Sequence, residues 1–213
     1  MARVPLSQER VLRAAVEFAD EHGIAALSMR KLGQRLGVEA MSLYNHVSNK
    51  DAILEGMVEV VMAEVSLPTR DGEWRGAMRA RAESLHAMLL RHPWATMVLM
   101  ASANPGPVML AHVDATLGLL RHAGFSVPLA DHAWNAVDSY IYGYTLQQLS
   151  FPFAQEDYAK VAADSLPHIP RDVLPHLVEL TESIIAGHHS GVHTLGFGFD
   201  LLVDGLERLR VAG

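Results

Sequence analysis

The sequence predicts an all-α fold, and three observations lead to that prediction. Apolar residues recur at helical spacing in almost every segment, turn-forming residues separate the segments, and no strand-like alternation or internal repeat occurs. The chain has 213 residues, of which 50% are hydrophobic and 19% are charged. This composition is typical of a folded protein that buries a substantial core, and it excludes intrinsic disorder.

The N-terminal part of the chain predicts three short helices in succession. The first lies between Ser7, a favourable N-cap, and Gly23, a favourable stop, and its apolar stripe consists of Val11, Leu12, Ala15, Phe18 and Ala19. The second follows Ser28 and ends at Gly37, and the third covers about residues 39–46. Three helices of this length form a small head domain.

A fourth helix begins beyond them and connects the head to the rest. The run Ser48-Asn49-Lys50-Asp51 has the pattern of a capping box with Ser48 as the N-cap, and it precedes the apolar positions Ile53, Leu54, Met57, Val58 and Val61. Residues 68–72 then break the helical pattern with a proline and a glycine. We therefore divide the chain into a head (residues 1–50), a connecting helix (51–67) and a body (73–213).

The body predicts six further helices. They cover roughly residues 73–92, 94–102, 106–123, 128–151, 171–187 and 192–211. Turn signals separate them at 104–107 and 124–126, and the proline-rich run 152–170 is expected to form turns.

The charge is divided unevenly between head and body. The net charge is −7, but residues 1–50 carry a net charge of +2 and residues 51–213 a net charge of −9. A basic head on an acidic body would attract phosphate groups at one end. The absence of cysteine excludes disulfides and thiolate metal sites, and no apolar stretch reaches the ~18 residues of a membrane span. With no secretory signal either, we expect a cytoplasmic protein without a membrane partner.

Residues 28–50 have the pattern of a helix-turn-helix. Two short helices meet at Gly37, which can adopt the left-handed conformation that a tight reversal needs. Leu32, Leu36, Val38, Leu43 and Val47 are spaced to pack inward, and this leaves outside the short polar run Ser42, Tyr44, Asn45 and His46. Such an element fits the major groove of DNA.

In this segment the chain resembles the TetR/AcrR family of bacterial transcription repressors. The resemblance rests on Leu-Ser-Met-Arg-Lys-Leu, Leu-Gly-Val, Leu-Tyr-x-His-Val and Asn-Lys-Asp-Ala-Ile-Leu, which align without gaps over residues 8–57. The body resembles the regulatory domain of the tetracycline repressor branch through Leu-Leu-Arg-His-Pro-Trp, Leu-Leu-Arg-His-Ala-Gly-Phe, Tyr-Gly-Tyr-Thr-Leu-Gln-Gln and Phe-Gly-Phe-Asp-Leu-Leu-Val-Asp-Gly-Leu-Glu-Arg-Leu. The resemblance implies a homodimer that binds a pseudo-palindromic double-stranded DNA operator and is released by a small-molecule effector.

The resemblance also implies which residues bind DNA. Arg30 and five positions around the third helix would face base pairs, namely Ala40, Met41, Ser42, Asn45 and His46. Phosphates would be bound by Ser28, Tyr44, His46 and Lys50. Side-chain chemistry agrees, because Arg pairs with guanine, Asn pairs with adenine, and hydroxyl or ammonium groups donate to phosphate oxygens. Ala40 and Met41 are apolar where the tetracycline repressor carries polar or proline side chains, so we expect a different operator.

Two stripes at helical spacing are candidates for the dimer interface. One consists of Leu195, Phe199, Leu202, Leu206 and Leu209, and the other of Trp134, Val137, Ile141, Tyr144 and Gln148. In the family the corresponding helices form a four-helix interface between subunits. The alternative is that the stripes face the core of their own subunit, and periodicity alone does not distinguish the two.

Large and polar side chains of the body are candidates for an effector site. The set consists of His86, Trp94, Met97, Met100, Trp134, Asp138, Tyr140, Tyr144, Gln147 and Phe151. Adaptable apolar walls with a few polar groups are typical of ligand pockets, although such a set also suits an ordinary core. The tetracycline repressor holds its drug through magnesium bound to a histidine, and the matching stretch here has none. We therefore expect neither a magnesium–tetracycline effector nor a cofactor.

Two enzymatic alternatives have weaker support. The chain contains 12 histidines, and His188, His189 and His193 lie close together, which would suit a metal-dependent sensor or enzyme. These histidines fall in a glycine-rich turn without the His-Glu-x-x-His spacing of a zinc site. A serine hydrolase would need a Gly-x-Ser-x-Gly elbow, which is absent. We therefore predict no metal site, no catalytic residues and no enzyme function.

Overall fold

A computed structural model describes residues 5–69, 73–101 and 104–212 of the chain. Over these ranges it contains eleven α-helices, three short 3-10 helices and no strand, which confirms the all-α prediction. The α-helices are α1 (Gln8–His22), α2 (Met29–Leu36), α3 (Ala40–Leu43), α4 (Lys50–Met62), α5 (Trp74–Arg91), α6 (Ala95–Ala101), α7 (Pro107–His122), α8 (Val127–Leu149), α9 (Tyr158–Ser165), α10 (Pro175–Ile185) and α11 (Leu195–Ala212).

Helices α1 to α4 pack around the core of the head. α1 contacts both α2 and α4, and the side chains buried completely between them include Val11, Ala15, Leu32, Leu43 and Met57. The predicted helix starts are confirmed, because Ser7 Oγ accepts a hydrogen bond from Arg10 N at 3.2 Å and Ser28 Oγ accepts one from Lys31 N at 3.3 Å. Each cap satisfies a backbone donor that the first turn of a helix leaves unpaired.

The third and fourth helices differ from their predicted bounds. α3 ends at Leu43, and the chain continues to His46 in tighter turns, in which Tyr44 N donates to Met41 O at 3.3 Å. α4 is capped by Asn49 rather than by Ser48, since Asn49 Oδ1 accepts a hydrogen bond from Ala52 N at 2.7 Å. Asn and Ser are equally good caps, so the pattern alone could not choose between neighbouring positions.

The body is built around α8. α8 packs against α5, α7 and α11, and its buried neighbours include Met78, Leu85, Leu89, Phe125 and Phe199. The helices predicted at 73–92, 94–102, 106–123, 128–151 and 192–211 agree with α5 to α8 and α11 to within three residues. Residue 102 lies outside the described ranges.

The segment 152–170 was predicted to form turns, and that prediction is wrong in part. It contains α9, two turns of helix that lie between Pro152 and Pro167 and pack against α10. Here the prolines bound a helix rather than interrupt one. The helix predicted over 171–187 is shorter than expected, since α10 begins at Pro175 and ends at Ile185.

The two candidate dimer stripes lie mainly in the core of their own protomer. Val137 and Ile141 of α8 are completely buried, and Phe199 and Leu206 of α11 are buried as well. Leu209 is exposed, so only part of the α11 stripe is free. A different set of exposed apolar side chains lies on α10 and α11, consisting of Leu177, Leu180, Phe197 and Leu201.

Candidate nucleic-acid interface and ligand cavity

Close packing shapes the unit formed by α2, Gly37 and α3. Gly37 has φ 67° and ψ 36°, the left-handed conformation that reverses the chain. At Gly33, an added Cβ would lie 2.9 Å from the carbonyl oxygen of Val38, so the turn approaches α2 as closely as glycine permits. Leu43 and Val47 anchor the inner side of α3 in the core. Because α3 spans a single turn, this packing rather than helix propensity holds it in place.

The outer side of this unit presents the nine predicted DNA-binding residues. Five of them are exposed, namely Arg30, Met41, Tyr44, Asn45 and Lys50. Four are half-buried, namely Ser28, Ala40, Ser42 and His46. They lie at the N-terminal end of α2, on α3 and the turns after it, and at the first residue of α4. Met41 is 74% exposed, which leaves an apolar side chain free to contact an apolar group such as a thymine methyl.

An ion-pair cluster fixes α2 against α1. The Arg35 guanidinium donates to both carboxylate oxygens of Glu21 at 2.7 and 2.8 Å and to Glu17 at 3.1 Å. The hydrogen bond from Arg35 lowers the pKa of the Glu21 carboxyl. Arg35 was not predicted as a functional residue, and its role here is to orient the helix that carries Arg30.

Two contacts fasten α4 to α7. The Glu59 carboxylate accepts hydrogen bonds from Val108 N at 2.7 Å and Met109 N at 3.1 Å, so a side chain of α4 caps the N-terminus of α7. Further along, His112 Nε2 donates to the carbonyl oxygen of Met62 at 2.9 Å. Burial lowers the pKa of His112, which keeps the ring neutral with one N–H for this bond. α4 and α7 are therefore joined by hydrogen bonds near the start and in the middle of α7.

A buried ion pair joins α5 to α8 in the middle of the body. Arg81 donates to the two oxygens of Asp138 at 2.6 and 3.0 Å, and Trp134 Nε1 donates to the same carboxylate at 2.8 Å. The side chains of Arg81 and Asp138 are only 3% and 8% exposed. Two predicted ligand-binding residues are thus engaged elsewhere: Asp138 pairs with α5, and Trp134 bonds to Asp138 within α8. Arg81 was missed, because a lone arginine in a helix gives no sequence signal of a buried partner.

A cavity of about 380 Å³ lies where α8 ends and α11 begins. Its lining consists of Tyr144, Gln147, Gln148, Phe151, Phe153, Ala154, Gly191, Val192 and His193. The Tyr144 hydroxyl donates to the carbonyl oxygen of His193 at 2.9 Å and so holds one wall. Gln148 Oε1 is buried and has no hydrogen-bond partner among the described residues. No acidic, lysine or arginine side chain lines the cavity.

The structure brings together only part of the predicted effector set. Tyr144, Gln147 and Phe151 line the cavity, and the ring of His86 lies 5.4 Å from the ring of Tyr144. The Tyr140 hydroxyl instead donates to the backbone of α11.

Three other members of that set lie outside the cavity. Met97 and Met100 are each 60% exposed on α6, and Trp94 bonds to a residue of α1. Of the cavity residues missing from that set, Gln148 lies on α8, where its periodicity pointed to the dimer stripe. The others belong to the segments after α8 and before α11, where no periodicity marks them.

The histidines near α11 do not form a metal centre in the part of the chain that is described. No three His, Asp or Glu side chains there are arranged to hold a metal ion, and the rings of His189 and His193 are 6.2 Å apart. His193 lines the cavity instead. Among the helices found between residues 5 and 212, outside 70–72 and 102–103, none is long and apolar enough to cross a bilayer.

Comparison with known proteins assigns both halves of the chain. Residues 11–57 match the family "Bacterial regulatory proteins, tetR family", and residues 67–210 match "Tetracyclin repressor-like, C-terminal domain". The chain belongs to the TetR family.

Individual relatives agree with this assignment. The tetracycline repressor protein class D of Escherichia coli is 31% identical over 216 residues, which cover 100% of this chain and 96% of that protein. An HTH-type transcriptional regulator of Saccharopolyspora erythraea is 40% identical over 139 residues, which span 65% of this chain and 59% of that protein. The structure of ActR from Streptomyces coelicolor in complex with actinorhodin superposes with a TM-score of 0.82 at 27% identity, over 97% of this chain and 99% of that one.

Membership of the family confirms the function that the sequence resemblance implied. This TetR-family protein is a ligand-responsive transcriptional regulator that binds a DNA operator as a homodimer. The family consists of transcription factors, and nothing in the comparisons supports the histidine-rich metal-dependent alternative.

Proposed function

We propose that the surface formed by α2, α3 and the start of α4 reads the operator. The head would span residues 1–50, the connecting helix 51–67 and the body 73–213. One observation carries the proposal: α3 is anchored from behind by buried Leu43 and Val47, while its outer side is exposed. A one-turn helix presented in this way fits the major groove. Because the operator is bacterial DNA, we place the protein in the cytoplasm.

Two kinds of contact follow from the exposed side chains. Arg30 and Asn45 would read base edges together with Ala40, Met41, Ser42 and His46, because guanidinium and amide groups form paired hydrogen bonds with guanine and adenine. Ser28, Tyr44, Lys50 and His46 would bind phosphates and set the register. Ser28 is also the N-cap of α2, so its phosphate contact would lie beside free backbone N–H groups.

Two alanine substitutions distinguish the phosphate contacts from the base contacts. Lys50→Ala should weaken binding to every sequence and reduce the slope of log affinity against log salt by about one. Asn45→Ala should cost about 1–3 kcal/mol at the preferred site and change the base preferred there. Affinity is measured by fluorescence anisotropy at several salt concentrations, and base preference by selection from random DNA.

Matched controls lie in the body. Lys160→Ala on α9 and Asn135→Ala on α8 remove the same groups from exposed positions away from the head. They should leave both measurements unchanged. An Asn45→Ala protein that selects the parental site would refute the base assignment, and a Lys50→Ala protein with the parental salt slope would refute the phosphate assignment.

We infer that the effector binds in the cavity at the end of α8. Three observations support this placement: the cavity volume of about 380 Å³ suits a small ligand, aromatic rings line it, and Gln148 offers an unpaired acceptor. Because no acidic or basic side chain except His193 lines the cavity, a neutral or weakly charged ligand fits best. The complex of the similar protein ActR with actinorhodin suggests a planar aromatic compound.

Actinorhodin and 1,8-dihydroxyanthraquinone serve as probes of the cavity. Phe151→Ala should weaken their binding by at least about tenfold, because an aromatic wall of the cavity is lost. Met97→Ala is the control, since Met97 belonged to the predicted effector set but lies exposed on α6. Binding is followed by calorimetry, and operator release by anisotropy. Reduced binding by Met97→Ala with normal binding by Phe151→Ala, or no binding of either probe to the parent protein, would contradict the proposal.

We place the dimer contact on the exposed apolar side chains of α10 and α11. They are Leu177, Leu180, Phe197 and Leu201. Leu201→Arg should sediment as a monomer at micromolar concentration, because a charge buried at the interface has no partner. Leu110→Arg alters an exposed leucine of α7 and should remain a dimer. A dimeric Leu201→Arg protein would refute this placement.

A further inference from the structure

Asp20 of α1 is held by two side chains of the body. Its Oδ1 accepts hydrogen bonds from Trp94 Nε1 at 2.7 Å and from His92 Nδ1 at 2.8 Å. The other ring nitrogen of His92 lies 3.3 Å from Glu64 Oε1, just beyond the end of α4. Glu64 also accepts a hydrogen bond from Arg91 at 2.7 Å. We call these five residues the head–body joint.

The arrangement around His92 is that of a bridge between two carboxylates. Each ring nitrogen faces one carboxylate oxygen, at 2.8 Å from Asp20 and 3.3 Å from Glu64. The bond from the Arg91 guanidinium to Glu64 is a hydrogen bond from a cation to a carboxylate, which is stronger than a neutral one. The side chain of His92 is 9% exposed, whereas those of Asp20 and Glu64 are 28% and 38% exposed, so the bridge is partly buried.

The joint connects elements that belong to different parts of the molecule. Asp20 lies on α1, which packs against α2 and α4 in the head. Trp94 directly precedes α6, and Arg91 is the last residue of α5. α4 is the covalent link between head and body, and the joint adds a second link that runs directly from α1 to the body. Together these two links restrict rotation of the head relative to the body, which α4 alone would permit.

We infer that Asp20 is a positioning residue for operator binding, acting through His92 and Trp94. The joint holds the head at one angle to the body. In a dimer whose bodies form the interface, that angle sets the separation of the two α3 helices. It thereby selects one half-site spacing. This inference rests on the operator surface proposed above, but it concerns spacing rather than sequence.

Spacing is tested with a series of operators that share the selected half-sites. Each member carries one or two base pairs inserted or deleted at the centre, and each base pair turns one half-site by about 35° and shifts it along the DNA axis. The homodimer is compared with Asp20→Ala and Asp20→Asn, the second of which keeps an acceptor oxygen but loses the charge. Glu9→Ala is the matched control, because it removes an α1 carboxylate that pairs with the exposed Arg13.

The parent protein and Glu9→Ala should lose about tenfold in affinity for each base pair inserted. Asp20→Ala should lose less than about threefold in affinity for each base pair inserted, with an unchanged salt slope. The loss for Asp20→Asn should lie between that of Asp20→Ala and that of the parent protein. A flattened spacing profile is the expected result, because a merely structural defect would lower affinity equally at every spacing. If both Asp20 variants weaken binding uniformly, or keep the parental profile, the inference is overturned.

The same experiment separates this inference from the proposed operator surface. If the parent protein selects no preferred sequence, the operator surface itself is refuted. If it selects a site and the spacing profile of both Asp20 variants matches that of the parent, only the role of the joint is refuted. Asp20→Asn covers the case in which Asp20→Ala does not fold, because it preserves one hydrogen-bond acceptor at the same place.

Discussion

The buried pair between Arg81 and Asp138 gives the sharpest prediction about stability. Arg81→Met removes the guanidinium and leaves the Asp138 carboxylate in the body core, where the Trp134 N–H is its remaining donor among the described residues. Loss of one partner from a buried ion pair costs about 3–5 kcal/mol, because the remaining charge stays desolvated. Arg81→Met/Asp138→Leu removes both charges and keeps the volume, so it should cost much less than either single change.

The expected effect on melting temperature follows from the size of the chain. For domains of 150–250 residues, 1 kcal/mol shifts the midpoint by about 2–4 °C, so Arg81→Met should melt about 6–20 °C below the parent. The double variant should recover most of that loss. Because dimerisation contributes to stability, all proteins are compared at one protomer concentration, by circular dichroism and by calorimetry.

An exposed pair provides the control. Glu9 and Arg13 lie one helical turn apart on α1, with side chains 73% and 65% exposed, and exposed pairs of this kind contribute only about 0.3–0.5 kcal/mol. Arg13→Met should therefore leave the melting temperature nearly unchanged. The reasoning is refuted if Arg81→Met costs no more than Arg13→Met. It is also refuted if the double variant loses the full sum of its single changes, since that would mean no coupling between the partners.

Three further predictions concern the link between head and body and the cavity. Gly106→Ala would place a Cβ 2.4 Å from the Glu59 carboxyl carbon, so it should displace the cap of α7 and lower the melting temperature, as a thermal scan would show. Burial holds the pKa of His112 below its ordinary value of 6.5, so the folded state binds fewer protons than the unfolded state below that pH. The free energy of unfolding should therefore be highest above pH 6.5 and decrease as the pH falls below 6.5. His112→Gln should remove this part of the pH dependence in denaturant titrations. Tyr144→Phe loses the hydroxyl bond to His193 and should weaken probe binding by about 0.5–1.5 kcal/mol in calorimetry, whereas unchanged affinity would show that this wall needs no such support.

Most of the fold could be predicted because helices leave local signals. The caps Ser7 and Ser28 and the reversal at Gly37 were found from residue type, since each satisfies a backbone requirement that few side chains can meet. The choice between Ser48 and Asn49 failed because both are good caps. α9 was missed because proline normally breaks a helix, whereas here the prolines stand at its borders and leave two turns between them.

The candidate sites were less predictable, because periodicity shows which side chains share a face but not what that face meets. The proposed recognition surface is one local unit, so the sequence could predict which residues share it. The predicted effector set came from α5, α6, α8 and the residues next to them, and the structure distributes it among different surroundings. Asp138 pairs with Arg81, Trp94 bonds to Asp20, and Met97 is exposed. These partners are 57 and 74 residues apart along the chain, so no local pattern could reveal them.

The hydrogen bonds between α4 and α7 also affect how strongly each bound effector must prefer one conformation for the protein to release its operator. A near-complete switch requires about a 10⁴-fold preference for one conformation, or about 5.5 kcal/mol. Coupling between two sites is typically only about 1–3 kcal/mol. A homodimer has two cavities, and if both heads must adopt the operator spacing together, the two preferences multiply. About 100-fold per cavity is then sufficient, which is within reach of a shift carried from α8 through α7 to Glu59 and α4.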